Sequence, residues 1–220
     1  MHFAPLGDQA VLAYLPDEAT AVRFAAAVQN ARPLWLQDVV PAYATVGVFF
    51  DLTLTTGSQV RQWLSALTVP PHYLTPASRT HRIPVCYDHQ LDLARVGEWT
   101  GLPAEEIIRL HTSVDFTVYA IGFAPGFPYL GYLPEPLCGV PRLDSPRIRV
   151  EPGSVGLTGR QTGIYPLPRP GGWNLIGRTP LTIVDVADQF FPIRVGDRVR
   201  FVRIDEGEYQ RLEGERLPVG

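Results

Sequence analysis

The chain has 220 residues, 45% of them hydrophobic, with a mean hydropathy of +0.02, enough apolar material for one large domain or two small ones with a real core. A net charge of −3 and a pI near 5.9 leave no basic field of the kind that holds a phosphate backbone, so nucleic acid is not an expected partner. All 19 basic residues are arginine, so this chain alone cannot supply a phosphate-loop lysine, a Schiff base or a lysine general base.

Met1–Pro5 has no basic segment followed by an apolar run, and no window approaches 18 uncharged apolar residues, which argues against export and membrane spanning. Ala10–Leu15 reads as a strand. Asp17 then caps a helix whose Ala21, Phe24, Val28 and Ala31 recur at three- and four-residue spacing. Trp35–Val40 and Tyr43–Phe50 read as two strands joined at Pro41. Ser58 is placed to cap a second helix with an apolar stripe of Val60, Trp63, Leu64 and Leu67. Thr68–Ser78, with three prolines, fits an extended connection, and His81–Tyr87 reads as a last strand. The order β-α-β-β-α-β predicts an α+β, ferredoxin-like domain over residues 1–85, with two helices on one face of a four-stranded antiparallel sheet.

Two short helices follow. Asp88 or Asp92 begins the first, which carries Leu93, Val96 and Trp99 on one face and ends at Gly101; Pro103 opens the second, with His111 in its last turn. From Asp115 the pattern becomes short apolar runs between turns: 116–122, 147–150, 154–158, 175–176, 181–186 and 198–204. Such punctuation predicts a closed or nearly closed β-barrel over residues 86–205, preceded by the two helices, with a frayed charged segment at 206–220. The stretch 120–180 holds 11 of the 20 glycines and 11 of the 22 prolines, interrupted by aromatic and aliphatic residues throughout. This describes ordered loops of unusual shape rather than a linker. Cys86 and Cys138 are too few and too far apart for a disulfide framework and have no metal-ligand spacing; they read as reduced, packed thiols of a cytoplasmic protein.

Several long segments occur in one order: Gly122-Phe123-Ala124-Pro125-Gly126-Phe127-Pro128-Tyr129-Leu130-Gly131, Pro152-Gly153-Ser154-Val155, Gln161-Thr162-Gly163-Ile164-Tyr165-Pro166, Pro170-Gly171-Gly172-Trp173-Asn174-Leu175-Ile176-Gly177-Arg178-Thr179-Pro180-Leu181, and Pro192 to Phe201. Together with Val39–Tyr43 and Ile83–Tyr87, they resemble the B subunit of bacterial 5-oxoprolinase. That family includes the sporulation histidine-kinase inhibitor and is also described as allophanate hydrolase subunit 1 or a carboxyltransferase subdomain. The resemblance implies a cyclophilin-like barrel behind a small α/β domain. It also implies work with a larger C subunit and an A subunit to open 5-oxo-L-proline to L-glutamate at the expense of ATP, with Mg at the level of the complex and little activity in this chain alone. The chain departs from the family pattern at Gly131–Pro134, Pro141–Asp144 and Val150–Pro152, beside the expected site.

Opening a lactam requires activation of its carbonyl oxygen and fixed donors for the charge that develops there. Arg178 is able to fork onto a carboxylate or phosphate, or to pair with Asp185, and Gln161, Thr162 and Asn174 are able to orient polar groups. Tyr165 and Trp173 either wall a pocket or fill a core, and Phe123 and Phe127, flanking the Pro125–Gly126 turn, cover a cleft or face a partner. His111 is a candidate general base with Asp115 fixing its tautomer, or a structural group that gains from the helix dipole. The expected catalytic residues are therefore His111, Gln161 and Arg178. The expected substrate contacts are Phe123, Gly126, Phe127, Thr162, Tyr165, Trp173 and Asn174. His2, His72, His81 and His89 form no metal-ligand cluster by spacing, so no metal is expected. Ser154 lacks the Gly-x-Ser-x-Gly elbow, and no dinucleotide fingerprint follows a strand. Two other readings stay open: a regulator that docks on a sporulation-type histidine kinase, and a component for amide or carboxyl transfer in urea or allophanate metabolism. In the latter, any biotin must arrive on a partner because this chain has no lysine to carry it.

Overall fold

The computed structural model describes residues 1–69 and 78–218. The chain divides into two compact units, Met1–Ser78 and Arg79–Gly220.

The first unit runs β1 (His2–Pro5), β2 (Ala10–Tyr14), α1 (Glu18–Ala31), β3 (Leu36–Ala42), β4 (Thr45–Phe50) and α2 (Gly57–Ala66). Its sheet has the order β1-β2-β4-β3, antiparallel throughout. Val11, Ala13, Val46, Val48 and Phe50 from the sheet meet Ala21, Phe24, Ala25 and Val28 of α1 and Val60 and Leu64 of α2 in one buried cluster. The Asp17 carboxylate caps α1 by accepting from the Thr20 amide at 2.7 Å.

Three sequence expectations are corrected here. Thr56, not Ser58, caps α2, in a capping box with Gln59. The β3–β4 turn falls at Tyr43, whose φ is 53°, while Pro41 lies inside β3 paired with Val46. Proline is tolerated there because β3 is an edge strand. The strand expected to complete a βαββαβ sheet lies in the second unit, and the sheet instead gains an edge from β1, giving ββαββα.

The second unit contains β5 (Thr80–Cys86), α3 (Leu93–Thr100), α4 (Ala104–Thr112), β6 (Phe116–Ile121), β7 (Pro128–Gly131), β8 (Arg147–Val150), β9 (Ser154–Thr158), β10 (Gln161–Ile164), β11 (Arg169–Gly171), β12 (Asn174–Arg178), β13 (Arg198–Ile204) and α5 (Glu206–Leu212). Seven strands close a barrel in the order β10-β7-β6-β13-β5-β12-β9, with β9 returning onto β10. The β5–β13 pair is parallel and the other ladders are antiparallel; β8 and β11 form a separate ribbon. Side chains alternate across the barrel wall. Ile83, Val85, Val118, Leu130, Val155, Leu157, Ile164, Ile176, Val199 and Phe201 join one core, to which α3 and α4 add Leu93, Val96, Ile107 and Ile108.

The expected barrel is therefore present, but the seam between units falls at 78/79 rather than after residue 85. Residues 181–186 form no strand and carry only isolated bridges, Thr182 with Arg216 and Asp185 with Phe190. The end of the chain is not frayed as expected: Asp205 caps α5, Tyr209 is buried, and Leu217 is buried and donates its amide to Thr182 O. The expected extended connection at 68–78 lies mostly outside the described residues, as 70–77 are not among them. Among the described residues, no helix is long and apolar enough to cross a membrane.

Candidate functional site

Alternation along the strands sends two sets of residues in opposite directions. On β10, Thr162 and Ile164 face the barrel core, whereas Gly163 and, just beyond the strand, Tyr165 face outward. Phe127 and Tyr129 at β7, Gly156 on β9, and Trp173 and Leu175 at β12 share that outer face. Phe127 is the hub of the cluster. Its ring meets Tyr129 at 4.9 Å, Tyr165 at 5.2 Å, Trp173 at 5.5 Å and Phe123 at 5.4 Å, each edge to face.

Glycine makes this packing possible. A Cβ on Gly163 would stand 2.8 Å from Pro128 O and 3.0 Å from the Phe127 ring, and one on Gly171 would stand 2.4 Å from the Tyr165 hydroxyl. Gly126, at φ +71°, turns the loop beneath Val184, whose Cγ2 would meet a Cβ at 2.3 Å. Phe127, Tyr165 and Trp173 are buried, so they form a packed platform rather than the walls of an open pocket. Phe123, at φ +67°, stays 58% exposed at the rim.

Beside the platform lies a polar knot that sequence reasoning did not assemble. The buried Asp92 carboxylate accepts from the Leu175 amide at 2.7 Å and from Arg147 Nη2 at 2.7 Å. Arg147 Nη1 is buried and has no hydrogen-bond partner among the described residues. Asn174, fully buried, donates to Pro141 O at 2.9 Å and Leu157 O at 3.1 Å, and its Oδ1 accepts from Arg95. Burial pushes the Tyr129 and Tyr165 phenols up, an effect that the positive charge of Arg142 partly offsets at both and that of Arg147 at Tyr165. Arg142 is exposed and has no hydrogen bond or ion pair among the described residues. The only sequence signal for Arg142 and Arg147 is their position in a proline-flanked run; the reach of Asp92 across 83 residues to Leu175 has none.

His111 does not belong to this face. It is fully buried, its ring stacks on Phe201 at 4.5 Å, and both nitrogens are bonded: Nδ1 to the Tyr87 hydroxyl at 2.8 Å and Nε2 to Thr162 Oγ1 at 2.9 Å. The single Thr162 hydroxyl proton goes to Gly156 O at 3.0 Å, so Thr162 accepts from Nε2–H and Nδ1 accepts from Tyr87. Burial holds the imidazole neutral, with its pKa pushed down to about 3, and raises the Tyr87 phenol. Asp115, expected to fix the tautomer, pairs with Arg200 at 2.5 Å instead. A ring so enclosed contacts protein alone, and the general-base expectation for His111 is corrected to a structural link between α4 and the barrel. Thr162 shares that link and faces away from the outer platform.

Arg178 also departs from expectation. Its Nε donates to Pro152 O at 2.9 Å, and Asp185 pairs with Arg216. Arg178 sits opposite Cys86 in the β12–β5 ladder, at the far end of β12 from Trp173. Gln161 lies on β10 two residues before Gly163, on the outer face. The structure therefore gathers Phe123, Gly126, Phe127, Gln161, Tyr165 and Trp173 on one side of the barrel. Asn174 braces them from beneath, and His111, Thr162 and Arg178 are placed elsewhere. An open groove of about 540 Å³ lies away from this face, lined by Thr80, Arg82, Thr112, Asp115, Arg200 and Arg203 among others. Its Arg200 and Arg203 are already paired with Asp115 and Glu105.

Comparison with known proteins agrees with this architecture. The sequence profile of the carboxyltransferase domain, subdomain C and D, matches residues 1–192. The 5-oxoprolinase B subunit of Bacillus subtilis (strain 168) is 36% identical over 232 residues, covering 96% of this chain and 95% of that protein. The 5-oxoprolinase B subunit of Escherichia coli O157:H7 is 50% identical over 137 residues, covering 61% of this chain and 62% of that protein. The solved structure of TTHA0988 superposes with a TM-score of 0.77 at 36% identity, over 90% of this chain but 40% of that longer one. The chain therefore belongs to the carboxyltransferase domain, subdomain C and D, family, among relatives that are B subunits of 5-oxoprolinase by name.

Proposed function

We propose that this chain is the B subunit of an ATP-dependent 5-oxoprolinase, contributing one side of a site that a C subunit completes, with an A subunit in the same assembly. The observation that carries the reading is the outer barrel face, where the aromatic cluster around Phe127 adjoins the run that carries exposed Arg142, held there by the Leu143 amide on Gly172 O at 2.8 Å. 5-Oxoproline is a flat five-membered lactam with a carboxylate. Arg142 offers a charge-assisted fork to that carboxylate, and the aromatic edges and exposed Phe123 offer an apolar surface to the ring.

The buried carboxylate beside this face, Asp92, is engaged by Arg147 and the Leu175 amide rather than open to a metal ion. The nucleotide is therefore assigned to the partner subunits, and this chain's part is to bind and orient the lactam and to keep water from it once the C subunit closes over Phe123.

The test is 5-oxoproline-dependent ADP release with all three subunits together and with each omitted. Loss of turnover without this chain supports the reading, and full turnover without it defeats it. In the complete assembly, Arg142→Ala should raise KM for 5-oxoproline about tenfold with kcat little changed, as expected for a group that binds substrate and transition state alike.

A further inference from the structure

At the opposite end of β12, three side chains from distant parts of the sequence converge: Cys86 at the end of β5, His89 in the short turn that follows it, and Glu206 at the start of α5. One potential ligand atom from each lies within 4.8 Å of the others. Glu206 Oε2 is the meeting point, 2.6 Å from His89 Nε2 and 3.9 Å from Cys86 Sγ. We propose that Cys86, His89 and Glu206 bind a thiophilic divalent transition-metal ion, zinc being the best match, in a site separate from the substrate face.

The geometry needs little adjustment. Tetrahedral zinc with bonds of about 2.0–2.3 Å sets its ligands roughly 3.3–3.8 Å apart, so the sulfur–oxygen gap closes slightly and the nitrogen–oxygen gap opens by about 1 Å. Both movable ligands are already oriented. Gln210 Nε2 holds the other Glu206 oxygen at 2.9 Å, leaving Oε2 toward the sulfur, and the Tyr209 ring stacks on His89 at 4.3 Å. Thiolate and carboxylate together cancel the charge of a divalent ion, and binding releases the Cys86 thiol proton to solvent. Arg178 lies across the ladder from Cys86, with its Nε turned to Pro152 O. Cys86 is buried, whereas His89 and Glu206 side chains are 31% and 49% exposed, so the ion enters from the solvent side, where a water completes its coordination. Sequence spacing shows Cys86 and His89 alone; the third ligand arrives 117 residues after His89.

The measurement is titration of untagged, metal-free protein with Co²⁺, followed by its thiolate charge-transfer and tetrahedral d–d absorption, then displacement by Zn²⁺. One equivalent per chain is expected, with the charge-transfer band lost in Cys86→Ser. His89→Ala, at a half-buried position, and Glu206→Gln, at an exposed one, should each weaken binding at least tenfold, and Gln210→Ala by about tenfold through loss of carboxylate orientation. Absence of a charge-transfer band in the wild-type chain overturns the site. So does a band that survives Cys86→Ser, or one indifferent to both His89→Ala and Glu206→Gln.

Discussion

The enclosed His111 makes a prediction that is quantitative and local. Its imidazole has a pKa near 3 in the folded chain against about 6.5 in an unfolded one. Between those values the unfolded state binds a proton that the folded state refuses, so the stabilising contribution is complete above pH 6.5 and is lost as pH falls toward 3. Lowering the pH from 7 to 5 should therefore cost the second unit about 2 kcal/mol from this residue alone. The cause is structural: a cationic ring would carry N–H at Nδ1, turning the Tyr87 hydroxyl from donor to acceptor inside a site closed by Phe116 and Phe201. Urea unfolding at pH 5, 6 and 7 measures the slope, and His111→Gln removes the titrating group while keeping a donor and an acceptor. The variant should be less stable at pH 7 yet lose less stability than wild type on acidification. Histidine-selective NMR should show a neutral Nε2–H tautomer that does not titrate from pH 8 to 5. A His111 midpoint near 6.5, or equal pH slopes in the two proteins, would refute the reasoning.

Other expectations concern packing and charge. Gly171→Ala places a methyl group against the Tyr165 hydroxyl and should destabilise the second unit by about 1–3 kcal/mol, read as a lowered thermal midpoint; an unchanged midpoint would mean that the β8–β11 ribbon is not seated on the platform. Asp92→Ala strands the partly buried Arg147 and unpairs the Leu175 amide, and should cost about 3–5 kcal/mol in denaturant unfolding. Arg203→Ala, which breaks an exposed pair with Glu105, should leave the same midpoint unmoved, and a comparable loss there would contradict the ranking by burial. Thr56→Ala removes the α2 capping box and should lower first-unit stability by about 0.5–2 kcal/mol, seen as faster amide exchange along Gly57–Ala66.

What the sequence discloses follows the range of the interactions involved. Both first-unit helices are readable because their apolar stripes are local, and the misplaced cap of α2 comes from two hydroxyl residues two positions apart, Thr56 and Ser58, equally suited to the task. The strand at 80–86 is also readable as a strand. Its partner is not, since alternation shows which residues face a core but not whose core it is. The aromatic platform is legible as a density of rings and glycines, and Phe127, Tyr165 and Trp173 do meet. Their chemical setting is not, because Asp92, Arg95 and Arg147 reach it from segments far apart in the chain. His111 shows the same limit: a nearby carboxylate in sequence, Asp115, is a poorer guide than Tyr87 and Thr162, which only barrel closure delivers.

The parallel ladder between β5 and β13 joins residues 118 positions apart, from Thr80 with Arg198 to Cys86 with Ile204. On a ribosome, the barrel's seam cannot form until Ile204 has left the exit tunnel, whereas every pairing in the first sheet is available once Phe50 has emerged. Biosynthesis thus imposes a waiting period in which the early half is complete and the later strands carry unsatisfied edges. That interval is when this polypeptide is most vulnerable to self-association and most in need of chaperone cover.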